Sequence, residues 1–355
     1  MELVQVELGP RSYQIYIGRG ARRQFSNSPL SKRRIVVITD TQVADLHLRT
    51  LLSELPPTPL VLKVKPGEES KSLRVAGELY DELAKAHIER HDLIITLGGG
   101  VVGDLGGFVA ATWLRGIDFV QVPTTLEAAV DASVGGKTAV NQRAGKNLIG
   151  VFHQPMAVVV DLDFLASLPR RDYLAGLGES IKHAVIRDAE FFEWHEAHID
   201  DIQARQPDVL AELIARNCRI KATIVSQDER EKGLRAILNY GHTIGHAIEH
   251  CCNYELRHGE CVALGMRAVN DIACARGLLK RHTADRITDL IKNLGLPLCL
   301  PARIDTSVLV AACHMDKKAA GGAVNFVFAT DLGQTARAAD VTDAEIAAAC
   351  TTLQP

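Results

Sequence analysis

The chain has 355 residues, 47% hydrophobic and 23% charged, which fits an ordinary folded protein and excludes collagenous, disordered and disulfide-framework classes. Forty basic residues against 43 acidic ones leave a formal net charge of −3, so no overall field recruits nucleic acid or an anionic membrane surface. No apolar run reaches the roughly 18 residues needed to span a bilayer, and the polar, alternating start from Met1 to Pro10 lacks the apolar stretch of a signal peptide. The eight cysteines begin at Cys218 and show no CxxC spacing, so reduced, mostly buried thiols in a cytoplasmic protein are expected, not paired zinc thiolates.

Along the first 165 residues, strand-like and helix-like segments alternate. Val4 to Leu8 and Tyr13 to Ile17 read as a short hairpin. Ile35 to Thr39, ending at Asp40, is a continuous apolar run of the kind that forms a strand buried on both faces. Leu60 to Val64, Leu93 to Leu97, Phe119 to Val122 and Ala157 to Val160 add further strands, and Leu73 to Ile88 has helical spacing. Strands separated by helices imply a parallel, Rossmann-like α/β sheet with crossover connections. After Pro169 the sequence reads as amphipathic helices at 171–197, 208–227, 240–252, 259–277 and 282–294, with little strand signal before Val324 to Phe328. The expected domains are therefore 1–165, α/β, and 166–355, mainly α-helical, with a ligand site at the carboxyl ends of the strands.

Strand 93–97 runs into Gly98-Gly99-Gly100-Val101-Val102-Gly103-Asp104, which satisfies G-x-G-x-x-G between a strand and a helix. Such glycines either let a pyrophosphate approach a helix N-terminus or simply permit tight helix–sheet packing. The ribose carboxylate usual near the end of the next strand is missing, because Asp118 precedes that strand's core. Pro66 to Lys71, with Glu68 and Lys71, offers a substitute, or is only a polar turn. The densest passage runs from Val122-Pro123-Thr124-Thr125 through Asp131 to Gly135-Gly136-Lys137 and Gly145-Lys146-Asn147. Its two lysines beside glycines can hold phosphate oxygens, yet it is no Walker A loop, since Asp131 stands where the first glycine belongs.

In the second half, His242 and His246 lie four apart on one helix face, which suits a divalent metal, and spacing alone selects them as the ligand pair. His258 at the next helix start can return to the same place, and Glu179 and Lys182 can add a carboxylate and a cation.

Taken together, Gly98 to Asp104, the 122–150 block, Gly178-Glu179-Ser180-Ile181-Lys182, the block from Arg235 to His246 and His258-Gly259-Glu260 resemble the 3-dehydroquinate synthase family of sugar phosphate cyclases, from about residue 3 to 335. The resemblance implies an NAD+-dependent carbon–oxygen lyase with Zn2+ or Co2+, acting in the shikimate pathway of aromatic amino acid (chorismate) biosynthesis. It implies conversion of 3-deoxy-D-arabino-heptulosonate 7-phosphate into 3-dehydroquinate and phosphate, with transient reduction of NAD+. By the same resemblance the metal ligands are Glu179, His242 and His258, and His246 moves to the substrate. The cofactor set is Asp40, Glu68, Lys71, Gly100, Val101, Val102, Gly103, Asp104, Thr124, Thr125, Lys137, Lys146 and the turn Phe164, Leu165, Ala166, Ser167. The substrate set is Asp131, Lys137, Lys146, Asn147, Lys182, Lys221, Arg235, Asn239, His246 and Lys317. Within it Lys221 and Arg235 suit the carboxylate, and Lys146, Asn147 and His246 the phosphate. Arg115 is implied to serve the neighbouring subunit's phosphate site, hence a homodimer. Glu127, Ala129, Ser180 and His183 depart from the family's more frequent Leu, Gln, Val and Tyr. An aminodehydroquinate or deoxy-scyllo-inosose type cyclase is the nearest alternative, then a metal-dependent NAD alcohol dehydrogenase and a non-catalytic NAD sensor.

Overall fold

A computed structural model describes residues 1–26, 33–315 and 324–355, which form two compact units. Met1–Pro169 with Pro207–Arg230 make the first, and Arg170–Gln206 with Glu231–Pro355 the second.

The first unit is built on a seven-stranded sheet of β1 (Glu2–Val6), β2 (Tyr13–Gly18), β3 (Ile35–Asp40), β4 (Leu60–Val64), β5 (Leu93–Gly98), β6 (Asp118–Pro123) and, after a separate hairpin, β9 (Ala157–Asp161). Its order is β1-β2-β9-β6-β5-β3-β4, and all neighbours are parallel except the edge pair β1–β2. Every residue of β3 and β5 is buried, as their unbroken apolar runs require. Helix α1 (Leu73–Lys85) starts where the Ser72 hydroxyl accepts from the Val75 N–H, and it turns Val75, Ala76, Leu79 and Leu83 into one core cluster with β3 and β5. Helix α2 (Gly100–Thr112) follows β5 directly.

In the first unit, two features differ from the sequence expectation. Residues 137–152, read as a glycine- and lysine-rich loop, form an antiparallel hairpin of β7 (Lys137–Gln142) and β8 (Gly145–Phe152). Its strands carry Gly, Lys, Asn and Gln, which conceal the period of two. In addition, the chain leaves for the second unit with α3 (Arg170–Arg187) but returns for α4 (Pro207–Gln227), which packs on β1, β2 and the turn Ala128–Ala132. The expected boundary at 165 is thus redrawn: helix 207–227 belongs to the first unit, because Leu210, Leu213, Ile214, Cys218 and Ile224 find their apolar partners there.

In the second unit the stretch 171–197 breaks in two at Asp188, whose carboxylate accepts from the Phe191 N–H and caps a new helix at Ala189. Next come α5 (His242–Cys251) and α6 (His258–Ala275), the helix Arg281–Asn293, two helices the periodicity did not reveal (Thr306–Met315 and Asp343–Thr352), and a hairpin of Phe326–Asp331 with Gln334–Ala338. The crossings of α3, α5 and α6 rest on glycine. A Cβ on Gly259 would overlap the Ala175 carbonyl oxygen, one on Gly178 the Gly259 carbonyl, and one on Gly265 the Gly241 carbonyl. Backbone therefore lies against backbone at each crossing. Gly178 adjoins Glu179, Gly259 adjoins His258, and Gly241 adjoins His242.

Overpacking of this kind costs about 1–3 kcal/mol or more. Gly259→Ala should therefore lower the melting temperature clearly, whereas Gly77→Ala, where an added methyl meets nothing within 4 Å, should leave it unchanged or raise it. Equal melting curves for Gly259→Ala and the parent would refute the backbone-contact account.

Candidate active site

In the first unit, strand order reverses direction between β3 and β5, the place where open α/β sheets bind ligands beyond their strands' carboxyl ends. Asp40 ends β3, Glu68 and Lys71 follow β4, Gly98 ends β5, and Thr124 and Thr125 follow β6. The sequence-predicted groups therefore share one edge of the sheet. The Thr124 N–H donates to the Gly98 carbonyl at 2.9 Å, tying the two strand ends together. Asp40 also caps the helix that follows it, accepting from the Val43 N–H at 2.8 Å.

Packing explains most of the glycine run. A Cβ at Gly98 would sit 2.6 Å from Val102, one at Gly99 2.9 Å from Thr125, and one at Gly103 2.8 Å from the Gln121 side chain. Gly100 differs. Among the described residues, a Cβ there would meet nothing beyond its own helix nearer than the Ala132 methyl at 3.6 Å, and Gly100 opens helix α2, whose Gly99 N-cap supplies no side-chain partner. The first N–H groups of α2 thus start at an open position, as an anionic ligand requires.

Beside it stands a polar cluster. Lys71, 5% exposed, donates to Asp104 Oδ2 at 2.6 Å and to Asn147 Oδ1 at 2.5 Å. Glu68 accepts from Asn141 at 2.7 Å, and Asn141 Oδ1 accepts from the Asn147 N–H at 2.9 Å. Asn141 is the member sequence reasoning missed: it links the turn after β4 to the β7–β8 hairpin, and only the hairpin's register exposes that role. Asn147 holds φ at 57°, a left-handed conformation that asparagine tolerates. Lys137 opens β7 on the exposed side and Lys146 lies near the start of β8. Lys221 of α4 donates to the Asp131 carbonyl and pairs with its Oδ1, both at 2.7 Å. After β9, Phe164 and Leu165 are buried, Ala166 and Ser167 exposed, and Ser167 bonds the His47 ring at 2.8 Å. Arg115 is exposed on a strained turn where Leu114, Arg115 and Gly116 all have positive φ.

In the second unit, Glu179 is fully buried, and its Oε1 lies 3.1 Å from His258 Nε2 and 3.4 Å from His242 Nε2. Lys182, one helical turn on, is ion-paired with its other oxygen. His246 joins them: the ring nitrogens of His242, His246 and His258 lie within 4.8 Å of one another. Glu260 secures the start of α6, accepting from the Arg257 N–H at 2.8 Å while Arg171 of α3 grips it through two bonds of 2.7 and 2.8 Å. Arg235 is 1% exposed, and Asn239 donates to Glu231 at 3.0 Å, a carboxylate no sequence signal singled out. Lys317 lies outside the described residues.

Electrostatics favour the ligating states. Burial would raise the Glu179 pKa, but the opposing charges, led by Lys182, hold the carboxylate well below its usual range. Burial first, then Lys182, push His242 down to about 4, so the ring is neutral at pH 7. Its Nδ1 faces the Tyr240 carbonyl at 3.1 Å and its Nε2 faces Glu179 Oε1 at 3.4 Å, and a neutral ring has one N–H for these two acceptors. With the hydrogen on Nδ1, the Nε2 lone pair and the carboxylate are together available to a cation. Ligands on a tetrahedral Zn2+ at about 2.0–2.1 Å stand roughly 3.3–3.5 Å apart, close to the 3.1 and 3.4 Å separations here. The donor set fits a divalent cation.

Asp104 provides a test in the first unit. Burial raises its pKa and Lys71 opposes the rise. A raised folded-state pKa means stability that is complete below the unfolded value of about 3.9 and lost as pH climbs through the folded value. Lys71→Met should raise the Asp104 pKa further, so the variant's deficit in melting temperature should widen from pH 4 to pH 8. Parallel curves would exclude this coupling.

Comparison with known proteins agrees over both units. Residues 61–175 match the family model for the 3-dehydroquinate synthase N-terminal domain, and 176–319 the model for the C-terminal domain. A 3-dehydroquinate synthase of Symbiobacterium thermophilum is 45% identical over 345 residues, 95% of this chain and 96% of the relative. A crystal structure of 2-deoxy-scyllo-inosose synthase with carbaglucose-6-phosphate, NAD+ and Co2+ superposes with a TM-score of 0.90 at 26% identity, covering 98% of this chain and 99% of that one. A 2-epi-5-epi-valiolone synthase from Streptomyces hygroscopicus, with NAD+ and Zn2+ bound, follows at 0.88 and 29%, covering 98% and 97%. The chain belongs to the 3-dehydroquinate synthase family.

Proposed function

We propose that the protein converts 3-deoxy-D-arabino-heptulosonate 7-phosphate into 3-dehydroquinate and phosphate, as an NAD+- and divalent-metal-dependent lyase. The observation that carries this reading is the convergence of Glu179 with the Nε2 atoms of His242 and His258 in a chain of this family. Glu179, His242 and His258 hold the cation. Asp40, Glu68, Lys71, Gly100 to Asp104, Thr124, Thr125, Lys137, Lys146 and the 164–167 turn hold the dinucleotide, with Glu68 in the place of the missing ribose carboxylate. When bound, NAD+ supplies transient oxidation of a substrate carbinol and Zn2+ or Co2+ supplies Lewis-acid polarisation of the hydroxyl concerned.

The remaining tasks fall to the chain's own side chains. Arg235, a rigid planar donor, takes the substrate carboxylate in a bidentate pair, and Lys221 adds a second cation for the same group. Lys146, Asn147 and His246 hold the phosphate and stabilise charge as the carbon–oxygen bond breaks. Asp131 orients Lys221, Lys182 balances Glu179 and donates to substrate, Glu231 orients Asn239 toward substrate, and Lys137 and Lys317 complete the donor set. A buried Arg235 favours a carboxylated substrate over sugar phosphates that lack a carboxylate.

Metal-loaded protein with the heptulosonate phosphate and NAD+ should release phosphate without net NADH. Chelation should abolish the reaction, and Zn2+ or Co2+ should restore it. Accumulating NADH would indicate a dehydrogenase, and turnover of glucose 6-phosphate or sedoheptulose 7-phosphate in its place would indicate another cyclase. Arg235→Ala should lower kcat/KM by roughly 10- to 150-fold, the cost of a charged hydrogen-bond pair, with unchanged kinetics refuting the clamp.

A homodimer is part of the proposal. Leu114 on the Arg115 turn is 39% exposed, and Leu148 and Phe152, on one face of β8, are 57% and 37% exposed, apolar groups suited to a second copy. His153 joins the two segments through its 2.8 Å bond to the Ile117 carbonyl. Sedimentation of Leu148→Glu/Phe152→Glu should give half the parent's mass, and an unchanged dimer would place the interface elsewhere.

A further inference from the structure

The three expected ligands leave one buried carboxylate of the second unit without a task. Glu249 lies on α5, two turns beyond His242, and is 9% exposed. Its Oε2 stands 3.5 Å from His258 Nδ1, on the opposite side of the ring from Glu179. His258 is thus set between two carboxylates, Glu179 at Nε2 and Glu249 at Nδ1. A neutral imidazole has one N–H and can satisfy only one of them. His242 shows the matching arrangement, with Nδ1 on the Tyr240 carbonyl and Nε2 toward Glu179. Both rings therefore have an acceptor behind Nδ1 and present Nε2 to the same carboxylate oxygen.

We infer that Glu249 is a positioning residue of the cation site: its carboxylate accepts the Nδ1–H of His258, which fixes the tautomer, aims Nε2 and makes that nitrogen a better donor to a divalent cation. Carboxylates behind ligating histidines act in this way in metal sites generally, and their loss weakens metal binding about 10- to 100-fold. Tyr240 contributes a main-chain carbonyl to His242, so side-chain substitution cannot remove that acceptor. Glu249 is the partner that mutation can test. Its position follows from local structure: the Glu249 carbonyl accepts from the Tyr254 N–H at 3.0 Å, closing the turn between α5 and α6 and bringing the helix end toward His258.

The inference rests on the cation reading of Glu179, His242 and His258, and direct metal binding separates the two. Zinc affinity of the full chain would be measured by competition with a chromogenic chelator, with melting curves of the metal-free proteins alongside. Glu249→Ala should raise the zinc Kd about 10- to 100-fold, and Glu249→Gln, which keeps an acceptor oxygen for Nδ1–H, should recover part of that loss. Both should melt near the parent without metal. Nitrogen-15 spectra of the zinc-loaded parent should show His258 protonated at Nδ1, a signature that simple loss of packing would not produce. A parental Kd for Glu249→Ala, or equal Kd values for the Ala and Gln variants, would overturn the role of Glu249. Failure of the parent itself to bind zinc would overturn the cation reading instead.

Discussion

Close approach of three helix backbones is the constraint on which the second unit depends. A carboxylate on α3 and imidazoles on α5 and α6 can meet at 3.1–3.4 Å only if the helices cross without side chains between them. Gly178, Gly259, Gly241 and Gly265 provide that contact. Glu179, His242 and His258 are each the chain neighbour of such a glycine, so the crossing and the cluster are one feature. Protein interiors resist strain at the scale of a single methyl, and the backbone contacts therefore hold these three side chains together.

The two units use charge differently. In the first, Lys71 gathers Asp104 and Asn147 while Glu68 and Asn141 extend the network, so polar groups at the strand ends bind one another by short links. In the second, a buried Glu179 faces one ammonium and two imidazoles, one of them held neutral by burial. Removing either partner of such a buried pair is far costlier than its net contribution to stability suggests. Both arrangements fix the orientation and protonation of the groups a ligand would meet.

Much of this was legible in the sequence, for identifiable reasons. The runs at 35–40 and 93–97 are strands buried on both faces, and burial of that kind leaves a continuous apolar word in the chain. The strand–glycine–helix passage and its neighbours gave the sheet-edge groups. The hairpin 137–152 was hidden because its residues are small and polar, and α4 could be recognised as a helix but not assigned to a unit, since periodicity reports a buried face and not what covers it. Asn141, Glu231 and Glu249 escaped for a related reason: an isolated polar residue acquires meaning only from the partner that folding brings to it. Spacing favoured His242 with His246. All three rings gather in one place, but Glu179 Oε1 lies against His242 and His258, a preference that depends on helix crossing and not on sequence interval.

The route of the chain has a consequence for biogenesis. The sheet of the first unit is complete at Asp161, yet β1 and β2 lack their covering helix until α4 is made, some fifty residues later, after α3 and three short helices have emerged. A nascent polypeptide halted before Pro207 would lack the helix that packs on β1 and β2. Neither unit is built from one contiguous stretch of chain, so the first is complete only after part of the second has been made.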